Sequence, residues 1–370
     1  MDDLIVEKLR ETARAHGWRG LVLLSPENVA YAAGFVVPSH PLMRWRHAAL
    51  ILPVDGPAEM LVVDMEAGTV AEHVPGIALH VYGEFTDDAM TVLASALLGH
   101  GWSGGRVGLE LGYLPAADAS RLAGAASGIA FESCDEAVAL CRQTKTPAEV
   151  ERLRALSRLT DAAIGEALAS VGAGSSELDL GARAVDGLLA RGADTFRLLI
   201  VASGERSGFP NVGPTSRRLV PGDLVRLEVF GVVGGYHAGV CRTAVVGPPS
   251  AEQERTWSVI QRARERAMAA IRPGASAAAV YREFAAIFDA AGLPRIDFVG
   301  HGIGVFLHEA PYLGRFGDAS LRAGMVLGIE PLVYAPGRGM QNKDMVLVTE
   351  QGSELLSDVT PTERLFEIAS

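Results

Sequence analysis

LRAGMVLGIE, residues 321–330, echoes LVPGDLVRLE, residues 219–228, with Leu, Gly and Glu recurring at a constant offset of 102. Working outward, Gly274-Ala275 matches Gly172-Ala173 at the same offset. Each pair lies between two helical patterns, 147–171 and 177–190 in the first copy, 251–271 and 277–291 in the second. Helix, glycine turn, helix and strand, twice in the same order, argue for an internal duplication. Two such halves of helices and antiparallel strands place their copies about a pseudo-twofold axis, with Glu228 and Glu330 facing one another across it. Each carboxylate follows alternating apolar residues, which puts it on a strand, on the side its apolar neighbours avoid. A solvated strand-end residue is the plain alternative for each, evenly weighed for Glu228 alone; the pairing and the histidines between the two copies favour Glu330 as a site residue.

Between the two strands lies FVGHGIGVFLHEAP, residues 298–311, with His301 and His308 seven residues apart among glycines and β-formers. In an extended segment after a short glycine turn, both rings can face one cleft. Glycines at 300, 302 and 304 let the backbone approach a neighbour closely. Two unrelated loop histidines are the plain alternative; a titratable pair in an apolar run favours a site.

The composition frames this. A chain of 370 residues exceeds one ordinary core and suggests two domains. With 49% hydrophobic and 21% charged residues it reads as globular. A net charge of −11 without a basic cluster argues against nucleic acid and anionic membranes as partners. No run is long enough to span a bilayer, and the acidic start MDDLIVEKLRE lacks the form of a signal peptide, so a cytoplasmic location is expected. Cys134, Cys141 and Cys241 have neither disulfide-framework nor zinc spacing.

Leu4, Ile5, Leu9 and Ala13 follow helical spacing, and GLVLLS, HAALILPV, MLVVD and VGLEL read as buried strands around a helix at 88–98. This alternation predicts an α/β domain over residues 1–140. CRQTKTPAE, 141–149, supplies a helix start, with Thr146 as cap and Pro147 in the first turn, and marks the boundary before a second domain at 145–370.

Taken together, NVAYAAGF (28–35), LIVASGERS (199–207), PGDLVRLEVFGVVGGYHAGVCRT (221–243), GHGIGVFLHE (300–309), GMVLGIEP (324–331) and KDMVLVTEQG (343–352) resemble the creatinase, prolidase and methionine aminopeptidase superfamily across nearly the whole chain. The resemblance implies a creatinase-type α/β N-terminal domain and an α+β pita-bread domain with the internal pseudo-twofold. Metallopeptidases of this superfamily hold two metal ions with two aspartates, a histidine and two glutamates. His301 and Glu330 match two of these ligands, and Glu228 stands in for the first aspartate. Gly239 replaces the second aspartate, and Lys343 replaces the bridging glutamate. Glycine offers no side-chain ligand and an ammonium repels a cation, so the expectation is an enzyme with no metal and no other cofactor.

Creatinase itself resembles this pattern in working without metal. Its general-base histidine aligns with Asn211, its substrate-binding glutamate with Cys241, one carboxylate-binding arginine with Arg46, beside Arg44, and another with Tyr312. The implied function is a metal-independent, creatinase-like hydrolase cleaving an amide, lactam or amidino C–N bond in a small carboxylate-bearing substrate. His301, His308, Glu330 and Glu228 would be catalytic, with His301 a free imidazole and His308 its partner across the substrate. Arg46, Arg44, Lys343, Cys241, Asn211 and Tyr312 would bind substrate, the arginines reaching across a homodimer. The alternatives are an Xaa-Pro-type metallo-dipeptidase with a degenerate metal site, a lyase, or a binding protein on the same fold. Cys241 as a nucleophile is weighed against a plain buried strand cysteine, which is the commoner case.

Overall fold

The computed structural model describes all 370 residues, which form two compact units, Met1–Arg142 and Gln143–Ser370. In the first unit the strands β1 (Gly20–Leu23), β2 (Ala49–Pro53), β3 (Glu59–Val63), β4 (Ala78–Tyr82), β5 (Arg106–Leu109) and β6 (Ala130–Ser133) form one mixed sheet in the order β4-β3-β2-β1-β5-β6. The helices are α1 (Asp3–His16), α2 (Pro26–Ala33), α3 (Ala67–His73), α4 (Ala89–Gly99), α5 (Ala116–Ala125) and α6 (Asp135–Gln143), the last ending at the first residue of the second unit. Helix α1 buries Ile5, Val6, Leu9 and Ala13, whereas Leu4, expected on that face, is 57% exposed. Val6, one turn before Leu9 and two before Ala13, takes its place in the stripe.

NVAYAAGF lies in α2 as far as Ala33, and the start of that helix is fixed by polar contacts. Ser25 caps Asn28 N at 3.1 Å, and buried Glu110 accepts Ser25 N and Ser25 Oγ, each at 2.8 Å. Gly34 ends the helix at φ +84°, a conformation that favours glycine.

The second unit contains α7 (Pro147–Ala169), α8 (Glu177–Ala190), α9 (Ala251–Ala270) and α10 (Ala277–Ala290). Its strands are β7 (Thr195–Ser203), β8 (Leu224–Val233), β9 (Tyr236–Val246), β10 (Phe298–Gly302), β11 (Glu309–Gly314), β12 (Val326–Ile329), β13 (Leu332–Val333), β14 (Met340–Gln341), β15 (Asp344–Val348), β16 (Ser353–Leu355) and β17 (Phe366–Ile368). They form a sheet β17-β9-β8-β7, a sheet β11-β10-β12-β15-β16 and the small pair β13-β14. Helix α7 starts as its spacing predicts, with Thr146 and Glu149 forming a reciprocal capping box behind Pro147.

The duplication appears in the hydrogen bonds, with one correction to its register. Gly174 N donates to Leu219 O at 2.8 Å and Gly274 N to Leu321 O at 2.9 Å; Leu219 N returns to Ser175 O and Leu321 N to Ala275 O. Both glycines are left-handed, φ +89° and +83°, and Ser176 and Ser276 cap two helices of 14 residues. The equivalent of Gly274 is therefore Gly174, not Gly172. The offset is 100 at the turn (274 − 174) and 102 at the strand (321 − 219), because the second copy has two more residues between α10 and its strand. Helices α9 and α10 bury Trp257, Ile260, Phe284 and Phe288 against Val299, Leu327, Ile329 and Val346 of the sheet.

Two buried histidines make the fold sensitive to acid. His40, in the first unit, is pushed down to about 4 by burial and by neighbouring His47; His237, in the second, reaches about 4 through burial, which outweighs the Gly304 carbonyl. Between the ordinary histidine value and about 4, the unfolded chain binds protons that the folded chain refuses. Stability therefore falls as pH drops through this window and levels off below it, by on the order of 3 kcal/mol for each histidine. Urea unfolding at pH 7 and pH 4.5 measures the loss, and replacing each histidine by Gln should reduce it; equal slopes in wild type and variants would reject this account.

Candidate active site

Glu228 lies in β8 and Cys241 opposite it in β9, on a hairpin whose turn is Gly234-Gly235, at φ +58° and +82°. Two residues with positive φ give the tight hairpin, and the register follows by counting outward: Val233 with Tyr236, Phe230 with Gly239, Glu228 with Cys241. His301 is in β10, Glu330 directly follows β12, and Lys343 sits between β14 and β15, bonded through its backbone to Cys241 (Cys241 N to Lys343 O, 3.2 Å; Lys343 N to Cys241 O, 3.1 Å).

Lys343 is pinned on both sides. Gln341 and Thr243 exchange bonds of 2.8 and 2.9 Å. Asp344 is buried between Arg242 at 3.0 Å and Arg264 at 2.5 Å, with Asn342 and Ser357 also donating to it. Burial alone would raise the Asp344 carboxyl, but the two arginines hold it below the usual carboxylate range.

The Lys343 ammonium, 1% exposed, has three donors and three acceptors: Glu228 Oε1 at 3.2 Å, Glu330 Oε2 at 3.1 Å and His301 Nε2 at 3.2 Å. It also lies 4.6 Å from the centroid of the Phe230 ring. Burial would lower its pKa, yet Glu330 and Glu228 raise it. Burial would likewise raise Glu330, and the charge of Lys343 outweighs that and lowers it. The cluster is therefore an ammonium held by two carboxylates.

This arrangement revises the expected role of His301. Its Nδ1 lies 2.7 Å from Gly302 O, an acceptor, so Nδ1 carries the proton and Nε2 is the lone-pair nitrogen that meets Lys343. His301 is fully buried and is not a free imidazole. His308 stacks on it, ring centroids 3.6 Å apart and 15° from parallel, so no substrate fits between the two rings as expected. His308 presents one face to solvent and packs the other on His301; desolvation of that packed face, with the nearby charge of Lys343, pushes it down to about 4 and keeps it neutral at pH 7. Glu330 Oε1 is buried without a hydrogen-bond partner, 3.4 Å from His301 Nε2.

The other expected substrate-binding residues divide. Tyr312, paired with His301 across β10 and β11, is 51% exposed with its ring 6.4 Å from that of His308. Asn211 is exposed between β7 and β8. In the first unit Arg44 is exposed, but Arg46 already makes a forked pair with Glu84, at 2.8 and 2.9 Å, so its guanidinium is not a free carboxylate clamp. Cys241 is fully buried, and burial first, then Glu228, raises its thiol well above the usual range; it is neither a nucleophile nor an exposed substrate contact. Cys241→Ala should leave turnover within a few-fold of wild type in steady-state assays, and abolished turnover with intact folding would restore a chemical role.

Two residues escaped the sequence reading. Gln341 takes a hydrogen bond from buried Arg226 on its Oε1 at 3.1 Å, which turns its Nε2 toward Glu330 Oε2 at 3.1 Å. Phe230 faces Gly239, and a Cβ there would come within 2.6 Å of Phe230 Cδ1 and Cζ and closer still to Cε1. The Gly-Gly turn already carried the signal for this pairing.

The donor set does not fit a pair of divalent ions. Position 239 offers no ligand and position 343 offers a cation. His301, His308 and Glu330 bring ligand atoms within 4.8 Å of one another, but Lys343 already bonds to His301 Nε2 and to Glu330.

An α/β domain followed by a duplicated α+β domain, with carboxylates and histidines gathered on the strands of its two halves, defines a pita-bread hydrolase fold. The chain belongs to metallopeptidase family M24, enzymes that hydrolyse C–N bonds: residues 151–350 match that family and residues 5–144 match the Creatinase/Prolidase N-terminal domain. It is 30% identical over 349 residues to the "Probable dipeptidase PepE" of Mycobacterium bovis, covering 91% of this chain and 89% of that protein. It is 31% identical over 239 residues to the Xaa-Pro dipeptidase of Pyrococcus furiosus, covering 63% of this chain and 68% of that one. Among solved structures it resembles dipeptidase PepE from Mycobacterium ulcerans with a TM-score of 0.84 and 27% identity, covering 100% of this chain and 98% of that one. These names favour the dipeptidase alternative over the creatinase-like reading. No helix is long and apolar enough to cross a membrane.

Proposed function

We propose that the protein hydrolyses the C–N bond of a small dipeptide-like substrate carrying a carboxylate. The substrate class follows the dipeptidase and Xaa-Pro dipeptidase relatives and replaces the lactam and amidino compounds first expected. The observation that carries the reading is the partnerless, buried Glu330 Oε1 next to the solvent-facing, neutral His308. Glu330 Oε1 accepts an N–H of the substrate. A water oxygen attacks the carbonyl carbon as His308 takes its proton; the C–N bond then breaks, and His308 returns the proton to the leaving nitrogen. Lys343 cannot donate a further hydrogen bond, so it contributes through its charge, holding Glu330 ionised and in place.

A panel of Xaa-Pro and other dipeptides, assayed in ¹⁸O-labelled water, tests this. Release of free amino acids with one labelled oxygen in the new carboxylate is expected. Cleavage without label would mean elimination, and no cleavage across the panel would overturn the substrate class.

A further inference from the structure

The disagreement between a metallopeptidase family and this donor set has a structural cause in three residues that act together. Lys343 puts an ammonium within 3.2 Å of Glu228, Glu330 and His301, the side chains that match metal ligands of the family. Gly239 removes a further ligand, and the Phe230 ring occupies the space a side chain at 239 would need. The same ring lies 4.6 Å from the Lys343 nitrogen, so it fills the position of a missing carboxylate and supports the ammonium with its π face. Glu228 and Glu330 contribute two negative charges and Lys343 one positive, so a net charge of −1 remains to face a dication (−2 + 1 = −1).

We infer that Phe230, Gly239 and Lys343 form a built-in replacement for the two-metal centre: the ammonium occupies the cation position between Glu228, His301 and Glu330, and the aromatic ring closes the second position to any side-chain ligand. The inference deepens the proposed function by assigning its site to side chains alone, and its test does not depend on dipeptide cleavage.

The full-length protein, dialysed against manganese, cobalt and zinc chlorides separately and then against buffer, is analysed for bound metal, and its melting temperature is followed during manganese titration. The expected result is far less than one ion per chain and a melting temperature that manganese does not raise. One or more ions retained per chain overturns the inference, and their loss in His308→Ala would assign them to His301, His308 and Glu330 instead. A double-mutant cycle tests the ring. Gly239→Asp should destabilise by a clash that Phe230→Gly relieves, so the double variant should be more stable than the sum of the two changes; additive effects would show that Phe230 does not close position 239. Failure of the dipeptide panel with no metal bound would reject the proposed substrate and leave this inference standing; bound metal with cleavage would do the reverse.

Discussion

Lys343→Met should destabilise the fold by about 3–5 kcal/mol at neutral pH, the usual cost of removing one partner from a buried ion pair. Methionine keeps the length and apolar stem of lysine, so little packing is lost. The change leaves Glu228 and Glu330, 3% and 7% exposed, without their shared cation. Two neighbouring buried carboxylates do not both stay ionised, so one takes up a proton and its folded-state pKa rises above the unfolded value. The destabilisation is then largest well above the ordinary glutamate range and shrinks as pH falls toward it, the opposite of the trend expected from His40 and His237. Urea unfolding of variant and wild type between pH 5 and pH 8 reads this directly. A difference that is small, or the same at every pH, would mean that the ammonium does not hold the cluster.

Glu330→Gln should lower kcat by about 10²-fold or more, the scale of losing one preorganised electrostatic contact at a reacting centre. The fold survives because Lys343 retains Glu228 and the amide keeps nearly the shape of the carboxylate. The free Oε1 position, however, becomes neutral or is replaced by an N–H donor, and either presents the wrong group to a substrate N–H. Gln341 Nε2, which now donates to Glu330 Oε2, meets the same ambiguity. A kcat loss with a normal unfolding curve fits the assigned role; unchanged kcat would remove Glu330 from the chemistry.

Much of this fold could be read from the chain. Paired glycine turns, cap residues and apolar stripes are local signals, and they located the helices of both copies. The two-residue slip at Gly172 was invisible because the turn glycine is marked by its left-handed φ and its bond to Leu219 or Leu321, neither of which is written in the sequence. The gathering of Glu228, His301, His308, Glu330 and Lys343 was legible, but not the state of each, and Gln341 was missed. That His301 spends one nitrogen on Gly302 O and the other on Lys343 depends on a side chain 42 residues away. Arg46 looked available because its partner Glu84 lies 38 residues on, in a segment without a motif. The Phe230–Gly239 contact also went unread, although its signal was local: a long side chain opposite a glycine at a register fixed by the Gly-Gly turn.

That contact also limits which single changes the site can accept. While Phe230 is present, any side chain at position 239 enters an occupied space, so a return to a carboxylate there is penalised unless position 230 becomes smaller first. Lys343 would have to change as well before a cation could settle. A lineage carrying all three residues cannot regain a two-metal centre by any single substitution, and intermediates along the way lose packing or charge balance before they gain a ligand.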